Sequence, residues 1–487
     1  MERDNKLERD LYIEDFVVHY CNVKYVINQK RKELMKFSKI WILGCFTVLY
    51  ISCGDDLPSE ETIDSRISEQ LMGLGGAEGV DFFILPESNE YDKIPQDPKN
   101  QISRAKVELG KLLFHETALA SKGSFSETEL TYSCASCHHA AAGFQANLPQ
   151  GIGDGGMGFG VAGEARTFNP FCEEKDIDVQ PIRTPSSLNS AFQQNMLWNG
   201  QFGGTGVNIG TEASWTEDTP KAVNHLGYEG VETQAVAGLG VHRFGLSISQ
   251  DFIMNTEYRE LFDVAFPEIQ DVDRYEAEYA GLAIAAYERT TLANESPWQE
   301  YLKGQQDAMT QAQKEGAYIF LTNNCVDCHT GPALNSMEFH AFGMNNLFNG
   351  SYGSGGVAIN VGDNVAEHRG RGGFTGNTQD DFKFKVPQLY NLKDSPFYGH
   401  GSSFSSLYDV VKYKINGIPQ NADVPVSQLA NQFRPITMNE EEITKLVDFL
   451  ENALYDPNLD RYTPTSLPSG FCFPNNDALS RIDLGCL

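Results

Sequence analysis

Positively charged residues are scarce in this chain. Only 37 lysines and arginines stand against 66 aspartates and glutamates, which leaves a formal net charge of −29 at pH 7. A surface of that sign repels the phosphates of nucleic acids, so we expect no nucleic-acid partner. It suits a basic partner protein, although solubility alone accounts equally well for the same charge.

Long apolar runs are almost absent as well. The clearest one, residues 40–51, follows two lysines, precedes Cys53 and is too short to span a bilayer comfortably. This order is similar to a bacterial lipoprotein signal that begins at Met35, although Tyr50 stands where such signals usually have leucine. We therefore expect residues 1–34 to lie upstream of the true start. We also expect lipidation of Cys53, with the protein lipid-anchored on the periplasmic side of a bacterial envelope or at the cell surface. An uncleaved N-terminal anchor is the alternative.

Four of the ten cysteines belong to two copies of a Cys-x-x-Cys-His motif. The motif residues are Cys134, Cys137, His138, Cys325, Cys328 and His329. This spacing is typical of c-type haem attachment, in which two thiols form thioethers with the haem vinyl groups and the histidine ligates the iron. A zinc site or a redox dithiol also uses Cys-x-x-Cys, but no further Cys or His pair lies nearby to complete four zinc ligands. The motifs predict two covalently bound c-type haems and a role in electron transfer.

The other cysteines divide between the leader and the mature chain. Two lie in the predicted leader, and Cys53 is expected to carry lipid. In an oxidising compartment, a disulfide between Cys472 and Cys486 would close a loop in the C-terminal tail. Cys172 would then have no cysteine left to pair with. Other pairings among these three stay open at this point.

The pattern of apolar residues predicts a mainly α fold with long loops and no strand-rich region. Helical spacing indicates helices at 102–115, 275–292, 310–321, 406–414 and 439–454. With one haem motif in each half, we expect two cytochrome-c-like haem domains. The predicted organisation is a leader and signal at 1–53, a tether at 54–100, an N-terminal haem domain at 101–304, a C-terminal haem domain at 305–455 and an irregular tail at 456–487.

Several landmarks stand in a specific order between residues 105 and 450. Besides the two motifs, they are Leu109–Glu116, Pro185–Asn189, Trp198, Glu232–Ala235, Ala283–Arg289, Gln313–Gly316, Thr330–Leu334 and Lys383–Asn391. The order resembles bacterial di-haem cytochrome c peroxidases, including the related MauG-type enzymes. The resemblance implies that the N-terminal haem reduces hydrogen peroxide, while the C-terminal haem receives electrons from a small cytochrome c or cupredoxin. It makes His138 and His329 the proximal iron ligands.

The resemblance also implies a role for Glu232, which is the nearest match to the family's acid/base glutamate at the peroxidatic haem. A carboxylate there can take a proton from one peroxide oxygen and return it to the other. The alternative is a solvated surface glutamate. Many members close this haem with a histidine from the glycine-rich loop, where this chain has Asp154. The first haem is therefore expected to be five-coordinate or water-bound.

At the second haem the family usually supplies a methionine or tyrosine as sixth ligand. The corresponding helix has no methionine here and offers Tyr413 or Lys414, which would otherwise be an ordinary core tyrosine and a solvated lysine. The family also often holds a calcium ion between its domains. Thr184 stands where an asparagine ligand is expected, so backbone carbonyls would have to coordinate the ion. Trp198 is either an electron bridge between the haems or a core residue.

Three functions remain open on these grounds. The first is a cytochrome c peroxidase that reduces hydrogen peroxide to water. The second is a MauG-type oxidase that modifies a protein substrate, and the third is a non-catalytic di-haem electron-transfer lipoprotein. A homodimer is a further expectation, and the lipid on Cys53 is the expected membrane attachment.

Overall fold

Helices supply most of the regular structure in the computed structural model, which describes residues 62–245, 250–254, 256–353, 355–363 and 365–486. The predicted signal, with Met35 and Cys53, lies outside these residues. Within them, no helix is both long and apolar enough to cross a membrane. Residues 61–487 form one compact unit.

The helices alternate with long connections. In chain order they are α1 (Ile63–Leu74), α2 (Arg104–His115), α3 (Gly230–Val241), α4 (Gln250–Met254), α5 (Tyr258–Ala265), α6 (Asp271–Arg274), α7 (Ala277–Thr290), α8 (Pro297–Leu302), α9 (Gln311–Thr322), α10 (Arg371–Thr375), α11 (Leu407–Asn416), α12 (Glu440–Asp448) and α13 (Ala478–Asp483). A π-helical turn, Phe449–Ala453, continues α12. The predicted mainly α character is confirmed.

The described strands are only two residues long and form three antiparallel pairs. These pairs are β1 (Gly156–Met157) with β2 (Thr167–Phe168), β3 (Phe339–His340) with β6 (Phe384–Lys385), and β4 (Gly350–Ser351) with β5 (Val357–Ala358). Such pairs fasten loops to one another and are too small to form a core.

Helix α7 is the centre of the core, and every residue from 280 to 290 in it is buried. Glycines allow its neighbours to approach closely. A Cβ on Gly110 of α2 would lie 1.9 Å from the carbonyl oxygen of Ala283, and a Cβ on Gly281 would lie 2.7 Å from the Cα atom of Val236 in α3. Helices α2, α3 and α7 therefore pack as a tight group, which sets the position of the first haem motif.

The predicted tether is folded over its described part, so that prediction is wrong for residues 62–100. Helix α1 packs on α9, and Lys314 Nζ lies 2.8 Å from Asp64 Oδ1. Gln299 then holds the next segment, because it accepts from Leu85 N at 2.8 Å and donates to Phe83 O at 3.0 Å. The stretch is largely polar in composition, but several of its apolar residues are buried in the core. The predicted division near residue 304 stays a prediction, because one apolar cluster runs through both halves.

The tail is more ordered than predicted. The disulfide between Cys472 and Cys486 is confirmed, and Cys172 is free. Helix α13 lies against the glycine-rich loop, where Gly158 N donates to Asp477 Oδ1 at 3.0 Å and Gly160 N donates to Asp483 Oδ2 at 2.8 Å. The tail therefore holds in place the loop that follows the first haem motif.

Candidate functional site: two cavities around the Cys-x-x-Cys-His motifs

The first motif lies at the wall of a cavity of about 380 Å³. Cys134 and Cys137 both line it, and both thiols are free. They stand on one 3₁₀ turn that Ser133 and Ser136 cap reciprocally, and Ser133 N donates to Ser136 Oγ at 2.9 Å. The turn brings both sulfur atoms to the same cavity.

The histidine of this motif is oriented by the backbone. His138 Nδ1 lies 3.2 Å from the carbonyl oxygen of Phe144, so it carries the proton and donates it there. Burial lowers the pKa of His138 to about 4, which keeps the ring neutral. Its Nε2 lone pair is then available to a metal, the arrangement that metal-ligating histidines ordinarily show.

The second motif repeats this arrangement at a cavity of about 310 Å³. Cys325 and Cys328 are free thiols in its wall. His329 Nδ1 lies 3.0 Å from the carbonyl oxygen of Leu334, and burial lowers the pKa of this histidine to about 4. Each cavity therefore has two thiols and one neutral, backbone-oriented imidazole, a donor set that fits a c-type haem.

The first cavity has room for a flat group against helix α3. Gly238 lines it, and a Cβ at that position would meet no atom within 4 Å. Gln234, Gly238 and His242 are four residues apart and lie on one face of the helix and its final turn. This face, which the sequence prediction missed, supplies both open space and polar groups.

The two cavities share part of their walls. Four residues line both of them, namely Arg183, Pro185, Leu197 and Trp198. The indole Nε1 of Trp198 donates to the carbonyl oxygen of Arg183 at 2.9 Å, which fixes the ring between the cavities. The sequence marked Trp198 as a bridge or a core residue, and the structure places it in the common wall.

Glu232 does not line either cavity, contrary to the position expected for an acid/base residue. It is fully buried on the other side of α3, where Arg289 Nη2 donates to Oε2 at 2.6 Å and Arg289 Nε donates to Oε1 at 2.8 Å. Glu229 and Asn100 complete this cluster. The carboxylate is thus committed to a structural ion pair. Helix α3 was not predicted from the sequence, and only the structure shows which of its side chains face the cavity. The acid/base role of Glu232 stays a prediction.

Asp154 is also held away from the first cavity. Its carboxylate accepts from Arg243 Nη1 at 2.7 Å and from Ser124 N at 2.6 Å, and it bonds to Thr128 as well. The glycine-rich loop at 151–163 contains no histidine. This loop therefore brings no imidazole to the cavity.

The two candidate ligands of the second haem lie in different places. Tyr413 packs against Phe404 and Phe433, and its hydroxyl donates to the carbonyl oxygen of Phe342 at 2.5 Å. Lys414 lines the cavity, with Nζ 3.1 Å from the centre of the Phe342 ring. Burial lowers the pKa of Lys414 to about 8. The sequence reasoning missed Met344, which lies in the same wall but is far from α11 in sequence.

The landmark Lys383–Asn391 contains a buried lysine. Lys385 Nζ donates to the carbonyl oxygen of Asn195 at 2.7 Å and also bonds to Gln193. Burial lowers the pKa of Lys385 to about 7. Calcium coordination near Thr184 stays a prediction.

Glu288 of helix α7 completes the wall of the first cavity. It is 4% exposed, and its Oε2 has no hydrogen-bond partner among the described residues. Burial, reinforced by repulsion from Glu232, raises the pKa of Glu288 to about 8. A carboxyl group in this state is neutral at pH 7.

This raised pKa makes stability depend on pH. The folded protein binds the Glu288 proton more tightly than the unfolded chain, so the contribution is complete below about pH 4 and is lost as pH rises through about 8. Between these pH values, ionisation of Glu288 should lower the free energy of unfolding of the wild-type protein by up to about 1.4 kcal/mol per pH unit. We expect Glu288→Gln to remove this decline. Denaturant unfolding of both proteins from pH 5 to pH 9 checks this. Equal slopes would contradict it.

Comparison with known proteins supports the family resemblance that the two motifs indicated. Residues 104–307 match the model of the di-haem cytochrome c peroxidase family. Cytochrome c peroxidase Ccp of Escherichia coli is 26% identical over 383 residues, which cover 76% of this chain and 63% of that protein. The methylamine utilization protein MauG of Methylorubrum extorquens is 25% identical over 379 residues, covering 77% of this chain and 84% of that protein.

A solved structure shows the same fold. It is a MauG-like protein associated with microbial copper homeostasis, 22% identical in sequence, with a TM-score of 0.52 and coverage of 77% of this chain and 95% of that chain. The family implies haem cofactors and an oxidoreductase. Residues 104–307 therefore match the di-haem cytochrome c peroxidase family, and the resemblance predicted from the motifs is confirmed.

Proposed function

We propose that this protein reduces hydrogen peroxide to water with electrons from a small redox protein, such as a basic cytochrome c or a cupredoxin. The observation that carries the proposal is the common wall between the two cavities. Because Trp198 lines both of them, an electron that enters at the second motif has an aromatic side chain on its way to the first. Two separate electron carriers would not need this shared wall.

The chain's own residues have distinct parts in this function. Cys134, Cys137 and His138 would hold the haem where peroxide is reduced, and the second motif would hold the haem that receives electrons. The haems, when bound, supply the one-electron redox chemistry. The protein orients each imidazole through a backbone carbonyl oxygen.

We also propose Lys414 as the sixth ligand of the second haem. Its amine lines the cavity beside that motif and has no hydrogen-bond or ion-pair partner among the described residues. A lowered pKa leaves a useful fraction of the amine unprotonated and able to bind a metal. The hydroxyl of Tyr413, in contrast, donates to the carbonyl oxygen of Phe342 and does not line the cavity.

A MauG-type oxidase is the second candidate function. The chain offers lysine or tyrosine on α11 and no methionine there, and MauG is among its relatives. Such an enzyme would act on a protein substrate and should turn over peroxide slowly with a small cytochrome. An electron-transfer lipoprotein without catalysis predicts two six-coordinate haems and no reaction with peroxide.

A bacterial envelope location is part of the proposal. The order of a basic segment, an apolar run and Cys53 supports a lipid anchor on the periplasmic side or at the cell surface. Attachment through that lipid alone would leave the folded unit free to meet a diffusing donor. A homodimer stays a prediction.

The test is peroxide-dependent oxidation of a reduced donor by the di-haem protein. With a net charge of −29, we expect faster turnover with a basic cytochrome c than with an acidic one, and a steep fall in kcat/KM as salt increases. Stopped-flow measurement from low to physiological ionic strength checks this, with the acidic cytochrome as the control. Absence of donor oxidation, together with modification of a protein substrate, would favour the MauG-type function.

A further inference from the structure

His242 and Asp178 form a polar pair in the wall of the first cavity. His242 Nδ1 lies 2.8 Å from Asp178 Oδ2, so the imidazole donates this proton to the carboxylate. Both residues line the cavity that also contains Cys134, Cys137 and His138. The His242 Nε2 atom has no hydrogen-bond partner among the described residues, and 39% of the side chain is exposed.

The surrounding structure holds the backbone of His242 and of Asp178 in place. The hydroxyl of Tyr132 donates to the carbonyl oxygen of His242 at 2.9 Å, and His242 N donates to Gly238 O at 2.9 Å. The next residue, Arg243, forms an ion pair in which its Nη1 lies 2.7 Å from Asp154 Oδ2. Asp178 is itself tied to the loop, because its backbone N–H donates to Asp154 O at 2.9 Å.

We propose that His242 is the catalytic acid/base residue for peroxide in the first cavity and that Asp178 is its positioning residue. This rests on the proposed function for the identity of its substrate. A carboxylate on Nδ1 fixes the tautomer in which the Nε2 lone pair is free to take a proton. Gln234 stands on the same helical face and supplies an amide that can orient the second oxygen.

In the proposed reaction, His242 moves one proton between the two oxygen atoms of hydrogen peroxide. Peroxide gives the proton on one oxygen to Nε2 of His242, and the imidazolium returns it to the other oxygen as the O–O bond breaks. That second oxygen leaves with the bonding electron pair as water. The remaining oxygen becomes a second water on receiving two electrons from the donor protein and two protons from solvent.

Three other carboxyl groups near this cavity are less suited to the role. Glu367 lines the cavity, but among the described residues no hydrogen bond fixes its carboxylate as Asp178 fixes His242. Glu288 lines the cavity, but it is 4% exposed, so peroxide has little access to it. Glu232 lies behind the helix in its ion pair with Arg289. Burial by itself lowers the pKa of His242, but attraction from Asp178 outweighs that effect and raises it.

The experiment uses the ferric di-haem protein and two readouts. The first is the rate of cyanide binding, because hydrogen cyanide must lose a proton on binding to ferric haem. The second is the rate of the reaction with peroxide. We expect His242→Gln to lower both rates by about 100-fold or more, while the electron paramagnetic resonance spectrum of the first haem stays high-spin. Asp178→Asn should lower both rates by a smaller factor without changing that spectrum.

The matched control is His225→Gln, which changes a histidine outside both cavities that is bonded to Trp215 O at 2.9 Å. It should leave both rates unchanged. Wild-type rates in His242→Gln would overturn the proposal. So would a low-spin first haem that becomes high-spin in this variant, because His242 would then be an iron ligand. If the wild-type protein fails to oxidise any donor, the peroxidase function is lost, but the cyanide rates still decide the role of His242.

Discussion

Replacing Lys414 with methionine should raise the reduction potential of the second haem. The lysine amine lines the cavity beside Cys325 and Cys328 and is the proposed sixth ligand. A hard nitrogen donor favours ferric iron, whereas a methionine thioether favours the ferrous state. We expect a shift that is a sizeable part of the roughly 0.8 V range that axial ligands set. Spectroelectrochemical titration of the second haem measures it.

The matched control for this change is Lys412→Met on the same helix. Lys412 Nζ pairs with Glu440 at 2.6 Å, and it does not line the cavity. Its replacement should leave the potential unchanged. If Lys414→Met also leaves the potential unchanged, while Met344→Leu alters the spectrum of the second haem, then Met344 is the ligand and the proposal for Lys414 is wrong.

Replacing Glu232 with glutamine should destabilise the fold by about 3 kcal/mol. The change removes one charge from a fully buried pair and leaves Arg289 with Glu229 and the carbonyl of Pro95 as partners. Breaking a buried ion pair on one side costs about 3–5 kcal/mol, and the remaining partners place this case at the low end. Denaturant unfolding of the di-haem protein measures the loss.

The corresponding surface change supplies the control. Glu108→Gln removes the partner of Arg104 from an exposed pair on α2, and little change in the free energy of unfolding is expected. The rate of the peroxide reaction, expressed per folded protein, should survive Glu232→Gln. A large loss of rate with unchanged stability would instead support the acid/base role that the sequence motif suggested for Glu232.

Local patterns in the sequence were sufficient to predict several helices of the structure. Helices α2, α7 and α11 were predicted within a few residues, because apolar residues recur on one face of each. The helix predicted at 310–321 is α9, which begins with a capping box of Thr310 and Gln313. Helix α3 was missed, since it is built largely from small and apolar residues with almost no difference between its faces.

The sequence alone determined the chemistry that lies within a few neighbouring residues. Each Cys-x-x-Cys-His motif specifies two thiols and an imidazole one turn apart, whatever the rest of the chain does. Only the tertiary structure decided which distant groups face these motifs. His242 and Asp178 are 64 positions apart, and Trp198 meets both cavities through packing that no local pattern records. The side of a helix that faces a cavity depends on its packing against other elements, and for α3 that packing turned Glu232 towards Arg289 and His242 towards the first motif.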